Sequence, residues 1–206
     1  MLPIKFRFLL AALSIGLFLT GCLPSNRVPM KSYYYILEYD SPKVQIKPKQ
    51  AAILVETFSA APGFNTDHMV YGPSPYQLSE YAYHLWRANP GEIVASFILR
   101  DIRQSGLFAA AVNQMDVSTP VTYRLAGSID EFLEHDHASK WFAVAALTVS
   151  LLRENTRETS DMLIFQKSYR VSKPCQAKNP EALAAAMSLA VAEISAQLIM
   201  DINEAI

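Results

Sequence analysis

Residues 141–152 constrain the fold more than any other stretch, because Phe142, Ala143, Val144, Ala145, Ala146 and Leu147 are apolar at odd and even positions alike. Successive side chains of a strand point to opposite faces, so such a run predicts a strand in the middle of a sheet covered on both sides. The runs flanking it read differently. Residues 121–134 set Tyr123, Leu125, Gly127 and Ile129 against Arg124, Ala126 and Ser128, and residues 162–172 set Leu163, Phe165, Tyr169 and Val171 against Gln166, Ser168 and Arg170. That alternation predicts strands with one buried face. The three runs together predict a meander, joined at 135–139 and at 155–160.

The cover for such a sheet is legible as two helices. Asn89 is placed as an N-cap, Pro90 takes the first helical position, and Glu92 is set for a capping-box-like exchange. Val94, Phe97, Ile98 and Ile102 then turn inward, Arg100 and Arg103 favour the negative helix end, and Gly106 is the stop, with a returning strand over 107–112. The last helix starts the same way at Asn179-Pro180 and carries Leu183, Met187, Val191, Ile194, Leu198 and Ile202 on one stripe. At about 1.5 Å per residue it is long enough to cross a whole sheet. Asp201 and Glu204 fall near the negative end of its dipole, so its final turn is expected to fray.

The first half of the chain is shorter in its periods. Residues 33–39 predict a strand with Tyr33, Tyr35, Leu37 and Tyr39 on one side, and residues 40–50, with Pro42, Pro48 and three lysines, predict a solvated loop. Residues 51–58 predict a second strand, Ile53, Val55 and Thr57 opposing Leu54, Glu56 and Phe58, which Ala61-Pro62-Gly63 breaks. Two short strands around a turn, 68–71 and 76–82, fit the aromatic stretch that holds Tyr71, Tyr76, Tyr81, Tyr83 and Trp86.

Ahead of this body Lys5 and Arg7 precede an apolar run that ends in Leu19-Thr20-Gly21-Cys22. The run is too short for a membrane span, which needs about 20 apolar residues, and has the length of an export signal. The tetrapeptide resembles the lipobox of bacterial lipoproteins, in which the cysteine thiol is acylated and the bond before it is cut. On that reading residues 1–21 are a signal peptide, Cys22 carries the lipid, residues 22–32 are a tether, and residues 33–206 form a single domain. Two or more acyl chains suffice for stable membrane attachment. The other reading is an ordinary signal peptide that ends near a cysteine.

Loss of the signal removes Lys5 and Arg7 and makes the formal charge of -1 two units more negative, which points away from a nucleic-acid partner. A lipidated Cys22 leaves Cys175 without an intramolecular disulfide partner; Cys175 is then either a reactive thiol or, the reading favoured by its surroundings, a small partly buried apolar residue.

The sequence contains no phosphate-binding glycine loop, HExxH, GxSxG or paired CxxC. Glu134-His135-Asp136-His137 offers four ligand types in a row, but on a strand the two histidines face one way and the two acids the other, so a solvated hairpin end is favoured over a metal hydrolase. Asp130 and Glu131 likewise point apart and form no acid–base pair. Tyr71, Tyr76, Tyr81 and Trp86 are the candidate contacts for a lipid chain or a partner peptide, with packing in the sheet as the competing role.

Several of these features together resemble one family, the ABC-type transport auxiliary lipoproteins: Cys22, Tyr34-Tyr35-Ile36-Leu37, Ala61-Pro62-Gly63-Phe64, Tyr76-Gln77-Leu78, Tyr81-Ala82-Tyr83-His84-Leu85-Trp86, Asn89-Pro90 and Ser105-Gly106-Leu107-Phe108. The resemblance implies an α/β fold like the TolB N-terminal, anticodon-binding-domain-like fold, a mixed β-sheet with flanking helices. It implies a non-enzymatic component of a lipid transport system of the bacterial envelope, working with an ABC permease and ATPase and with periplasmic proteins carrying MCE (mammalian cell entry) domains. It supplies no catalytic residues. The expected non-protein group is the covalent lipid on Cys22, palmitate among its acyl chains, with no cofactor, metal or nucleic acid. Leu23, where an aspartate signals inner-membrane retention, points to the periplasmic face of the outer membrane. The alternative function is a periplasmic lipid-binding protein with a groove near Tyr71, Tyr76 and Trp86. A homo-oligomer is compatible with either.

Overall fold

A computed structural model describes residues 30–74, 76–115, 120–137, 140–154 and 162–206. The chain divides into Met1–Lys31 and Ser32–Ile206, and every described helix and strand belongs to the second unit. The predicted signal, Cys22, most of the tether, residues 138–139 and the predicted turn at 155–160 lie outside the described residues.

In chain order the elements are β1 (Tyr33–Tyr35), β2 (Lys49–Val55), β3 (Ser59–Ala60), a 3-10 turn (Pro62–Phe64), β4 (His68–Ser74), β5 (Gln77–Trp86), α1 (Pro90–Ser105), β6 (Phe108–Val112), β7 (Tyr123–His137), β8 (Lys140–Arg153), β9 (Leu163–Pro174) and α2 (Pro180–Ala205). Among the described residues the strands form one mixed sheet built on β7. Along one edge of β7 runs β8, antiparallel, from Tyr123 opposite Arg153 to His137 opposite Lys140. Along the other edge three short parallel strands follow one another: Ile53 of β2 beside Tyr123, Ser59 of β3 beside Ser128, and Val70 of β4 beside Leu133. Beyond them β6 extends the sheet at the β2 end, and β5 and β1 extend it at the β4 end. β9 completes the predicted meander on the far side of β8.

The central position predicted for residues 141–152 is the one β8 holds. Ala143, Ala145, Leu147, Val149 and Leu151 pack into the main core under the helices, while Val144 joins Phe64, Val70 and Leu133 in a small cluster on the other face. α2 lies against β8 and β9 with Leu183, Met187, Val191, Ile194, Leu198 and Ile202 all essentially unexposed. Burying each contributes on the order of 1.5–3 kcal/mol. Both helices start as expected: Asn89 Oδ1 accepts from the Gly91 N–H at 3.0 Å and Asn179 Oδ1 from the Ala182 N–H at 2.8 Å. Glu92 is exposed, and the bond that caps α1 is the one to Gly91. Glycine at position 91 is required for a separate reason, since a Cβ would stand 2.1 Å from the Phe58 carbonyl oxygen. Gly106 ends α1 in the left-handed region at φ 72°.

Five expectations are corrected. β1 ends at Tyr35, because its partner β5 ends at Trp86, and the chain continues as an irregular segment in which Leu37 is buried. The loop at 40–50 is not simply solvated: Val44 and Ile46 pack on the main core. β2 ends at Val55, and Phe58, not Thr57, is the buried residue beyond it. Leu163 is exposed, since a register irregularity at Leu151/Leu152 sets it beside Leu152, off the core face. The end of α2 does not fray. Asp201 accepts from Lys167 Nζ at 2.7 Å and from Tyr169 Oη at 2.5 Å, Asn203 Oδ1 from the Lys47 N–H at 2.8 Å, and the Ile206 carbonyl from Lys49 Nζ. Two lysines thus supply the positive charge that a helix C-terminus favours.

Candidate functional site

A bulge sets the chemistry of β7. Ile129 faces Leu147 and Glu131 faces Ala146, so Asp130 is the extra residue and the phase of alternation changes by one. Phe132, Glu134 and Asp136 therefore stand on the same face as Leu125 and Ile129, the face the helices cover, while Leu133, His135 and His137 look the other way. Glu134 is drawn into the protein by this shift and is 0 % exposed. That corrects the solvated hairpin end expected for residues 134–137. His135 and His137 do share a side, with rings 6.5 Å apart. Among the described residues no group of three or more His, Cys, Asp or Glu is arranged to hold a metal.

Around Glu134 the aromatic stretch closes a wall. Tyr71 is the register partner of Glu134 across β4 and β7, its ring lies 4.9 Å from that of Tyr81, and Tyr81 Oη donates to Glu134 Oε1 at 3.1 Å. The Tyr81 hydroxyl is held well above its ordinary range, by burial first and by the Glu134 charge second. Next along β5, His84 stacks on Tyr33 at 5.4 Å and its Nδ1 lies 2.9 Å from Tyr35 Oη. Asp136 Oδ2 accepts from Lys178 Nζ at 2.7 Å, just before the cap of α2. Cys175, half-buried against the main core, has its thiol pushed up to about 11, chiefly by burial. A thiol of that kind is a poor nucleophile at neutral pH.

The four aromatic candidates do not line one surface. Tyr71 and Tyr81 meet beside Glu134; Trp86 is 1 % exposed and packs edge-on against Phe132 at 5.2 Å; Tyr76 is 99 % exposed at the tip of the β4–β5 hairpin. Two clefts among the described residues lie elsewhere. One of about 420 Å³ opens on the face away from the helices, with Phe64, Leu78, Leu133 and Val144 as an apolar floor and Asp130, Glu131, His135 and Arg170 at its rim. Another, of about 310 Å³, lies between the segment at Ile36–Leu37 and the first turns of α1, against Ile93 and Phe97.

A second buried acid escapes the sequence reading. Asp101, on α1, is 0 % exposed and accepts from Tyr39 Oη at 2.9 Å, Ser41 Oγ at 2.5 Å, Ser195 Oγ at 2.6 Å and Arg100 Nε at 2.9 Å. Arg100, expected to serve the helix end, instead lies over the rings of Tyr39 and Phe97 at 4.5 and 4.4 Å. The available signal is a carboxylate beside Ile98 and Ile102 on an apolar stripe, answered by Ser195 on the stripe of α2.

No curated protein sequence matches the chain. Solved structures similar in fold include a Xanthomonas campestris protein of the DUF330 family, with TM-score 0.75 and 19 % identity, over 84 % of this chain and 96 % of that one. An uncharacterized protein matches with TM-score 0.64 and 14 % identity over 84 % and 99 % of the two chains, and the hypothetical protein CT253 of Chlamydia trachomatis with 0.55 and 9 % over 75 % and 96 %. At these identities the likeness is one of fold. A family model described as "ABC-type transport auxiliary lipoprotein component" matches residues 35–199.

Proposed function

The chain belongs to the ABC-type transport auxiliary lipoprotein component family, and from that premise we propose that it is a non-enzymatic protein of the bacterial envelope, anchored through lipid on Cys22. It docks an ABC permease and ATPase and their MCE-domain partner to the membrane, at the periplasmic face of the outer membrane. The observation that carries this reading is the reach of the family match across the folded body, joined to the lipobox that precedes it. Metabolic labelling with a palmitate analogue tests the anchor: wild type takes up label and Cys22→Ser does not. Density-gradient fractionation tests the membrane, and recovery of permease or MCE components with the tagged protein tests the partners. Label-free wild type, or pull-downs without any transport component, overturns the proposal.

The open-face cleft favours a second reading, direct lipid binding, because its apolar floor of Phe64, Leu78, Leu133 and Val144 is large enough for part of an acyl chain. Native mass spectrometry after delipidation distinguishes it: phospholipid adducts that Leu133→Asp abolishes support it, and their absence from wild type removes it.

A further inference from the structure

Glu134 and Asp136 stand two residues apart on one face of β7, where the β4–β5 hairpin, the end of β8 and the segment leading into α2 close over them. Each carboxyl has one oxygen with a donor, Tyr81 Oη on Glu134 Oε1 and Lys178 Nζ on Asp136 Oδ2. The other oxygen of each, Glu134 Oε2 and Asp136 Oδ1, is buried without one. Native interiors seldom leave a buried polar atom unsatisfied, and here two of the same kind occur at neighbouring same-face positions. Two acceptors lacking a donor are satisfied together by one proton.

We propose that Glu134 and Asp136 hold a single proton in common between Oε2 and Oδ1, and that this proton keeps the seam between β7, the β4–β5 hairpin and the start of α2 closed. The charge balance supports it: one proton on the pair leaves a single negative charge, which Lys178 offsets. Burial raises Glu134 from its ordinary value; the Asp136 charge, and Asp136 as a hydrogen-bond acceptor, raise it further, while the Tyr81 hydroxyl and the Lys178 charge oppose them. The groups around the pair are Tyr71 from β4, Tyr81 from β5 with His84 behind it, Trp141 from β8, and Cys175 and Lys178 after β9; Glu181, in the first turn of α2, acts on Tyr35.

Unfolded Glu134 ionises at the ordinary value and folded Glu134 above it, so the contribution to stability is complete in acid below the ordinary carboxylate range and is lost as pH rises through the raised value. Alkaline conditions leave two charges in the seam and favour its opening, which exposes Cys175.

The test uses the full-length protein in detergent micelles, with carbon-13 in its carboxyl groups. As pH rises, one glutamate carboxyl is expected to titrate after the other glutamates, with Glu134→Gln removing its signal. Glutamine keeps an N–H for Asp136 and an oxygen for Tyr81 but does not titrate. Amide hydrogen exchange in β4, β5 and β7 reads the opening: the intrinsic exchange chemistry is the same in both proteins, so the ratio of wild-type to Glu134→Gln rates isolates the proton and should climb with pH, by at most about tenfold per unit. A ratio that stays at one, every carboxyl titrating in the ordinary range, or a stoichiometric bound metal in place of the protonated signal overturns the proposal. Where Glu134→Gln does not fold, the wild-type titration alone decides.

Discussion

Asp101 and Glu134 are both acids with no exposed surface, and the molecule treats them in opposite ways. Asp101 receives donors from the segment after β1, from its own helix and from α2, four side chains in all. Glu134 receives one hydroxyl and shares its face with a second acid. Burial is common to the two and does not decide how each is held. What decides it is whether rigid elements bring enough N–H and O–H groups to both oxygens, because desolvating a carboxylate is offset only by well-placed partners.

The largest expected effect is at the saturated acid. Asp101→Ala strands three hydroxyls and Arg100, and should lower stability by about 3–5 kcal/mol, measured by chemical denaturation. Removing one of its donors, Ser195→Ala, should cost about 1.5–3 kcal/mol, the range for a hydrogen bond to a charged group. Tyr81→Phe removes the hydroxyl donor of Glu134 and should cost only about 0.5–1.5 kcal/mol, the range for a neutral pair. A loss as large as that of Ser195→Ala would erase the contrast. Smallest of all, Glu134→Gln should leave the thermal midpoint unchanged in acid, at about pH 4, and raise it relative to wild type at about pH 9. A variant that loses stability equally at both values would show Glu134 to be a carboxylate like Asp101.

The same contrast marks what is legible in the sequence. The stripe of α2, its Asn179 cap and the central place of β8 follow from local periodicity and local hydrogen bonds, and the structure has them where the sequence puts them. Features that depend on a distant partner are not readable. The bulge at Asp130 leaves no trace in composition, yet it turns Glu134 inward. Asp101 is explained by Tyr39, Ser41 and Ser195, each far away in sequence. The firm end of α2 depends on Lys47, Lys49, Lys167 and Tyr169, which no reading of residues 179–206 contains. Tyr71, Tyr76, Tyr81 and Trp86 look like one group because they are close in sequence, and alternation along a hairpin sends them to different surroundings.

Three successive strands, β2, β3 and β4, lay their backbones along β7, whose residues are made only after about fifty more have been added to the growing polypeptide. Until that late rail arrives, the early strands have nowhere to direct one row of amide and carbonyl groups. The β4–β5 hairpin has its partner at once, whereas the row of bonds that joins the early strands into one sheet is completed only by the later half of the chain.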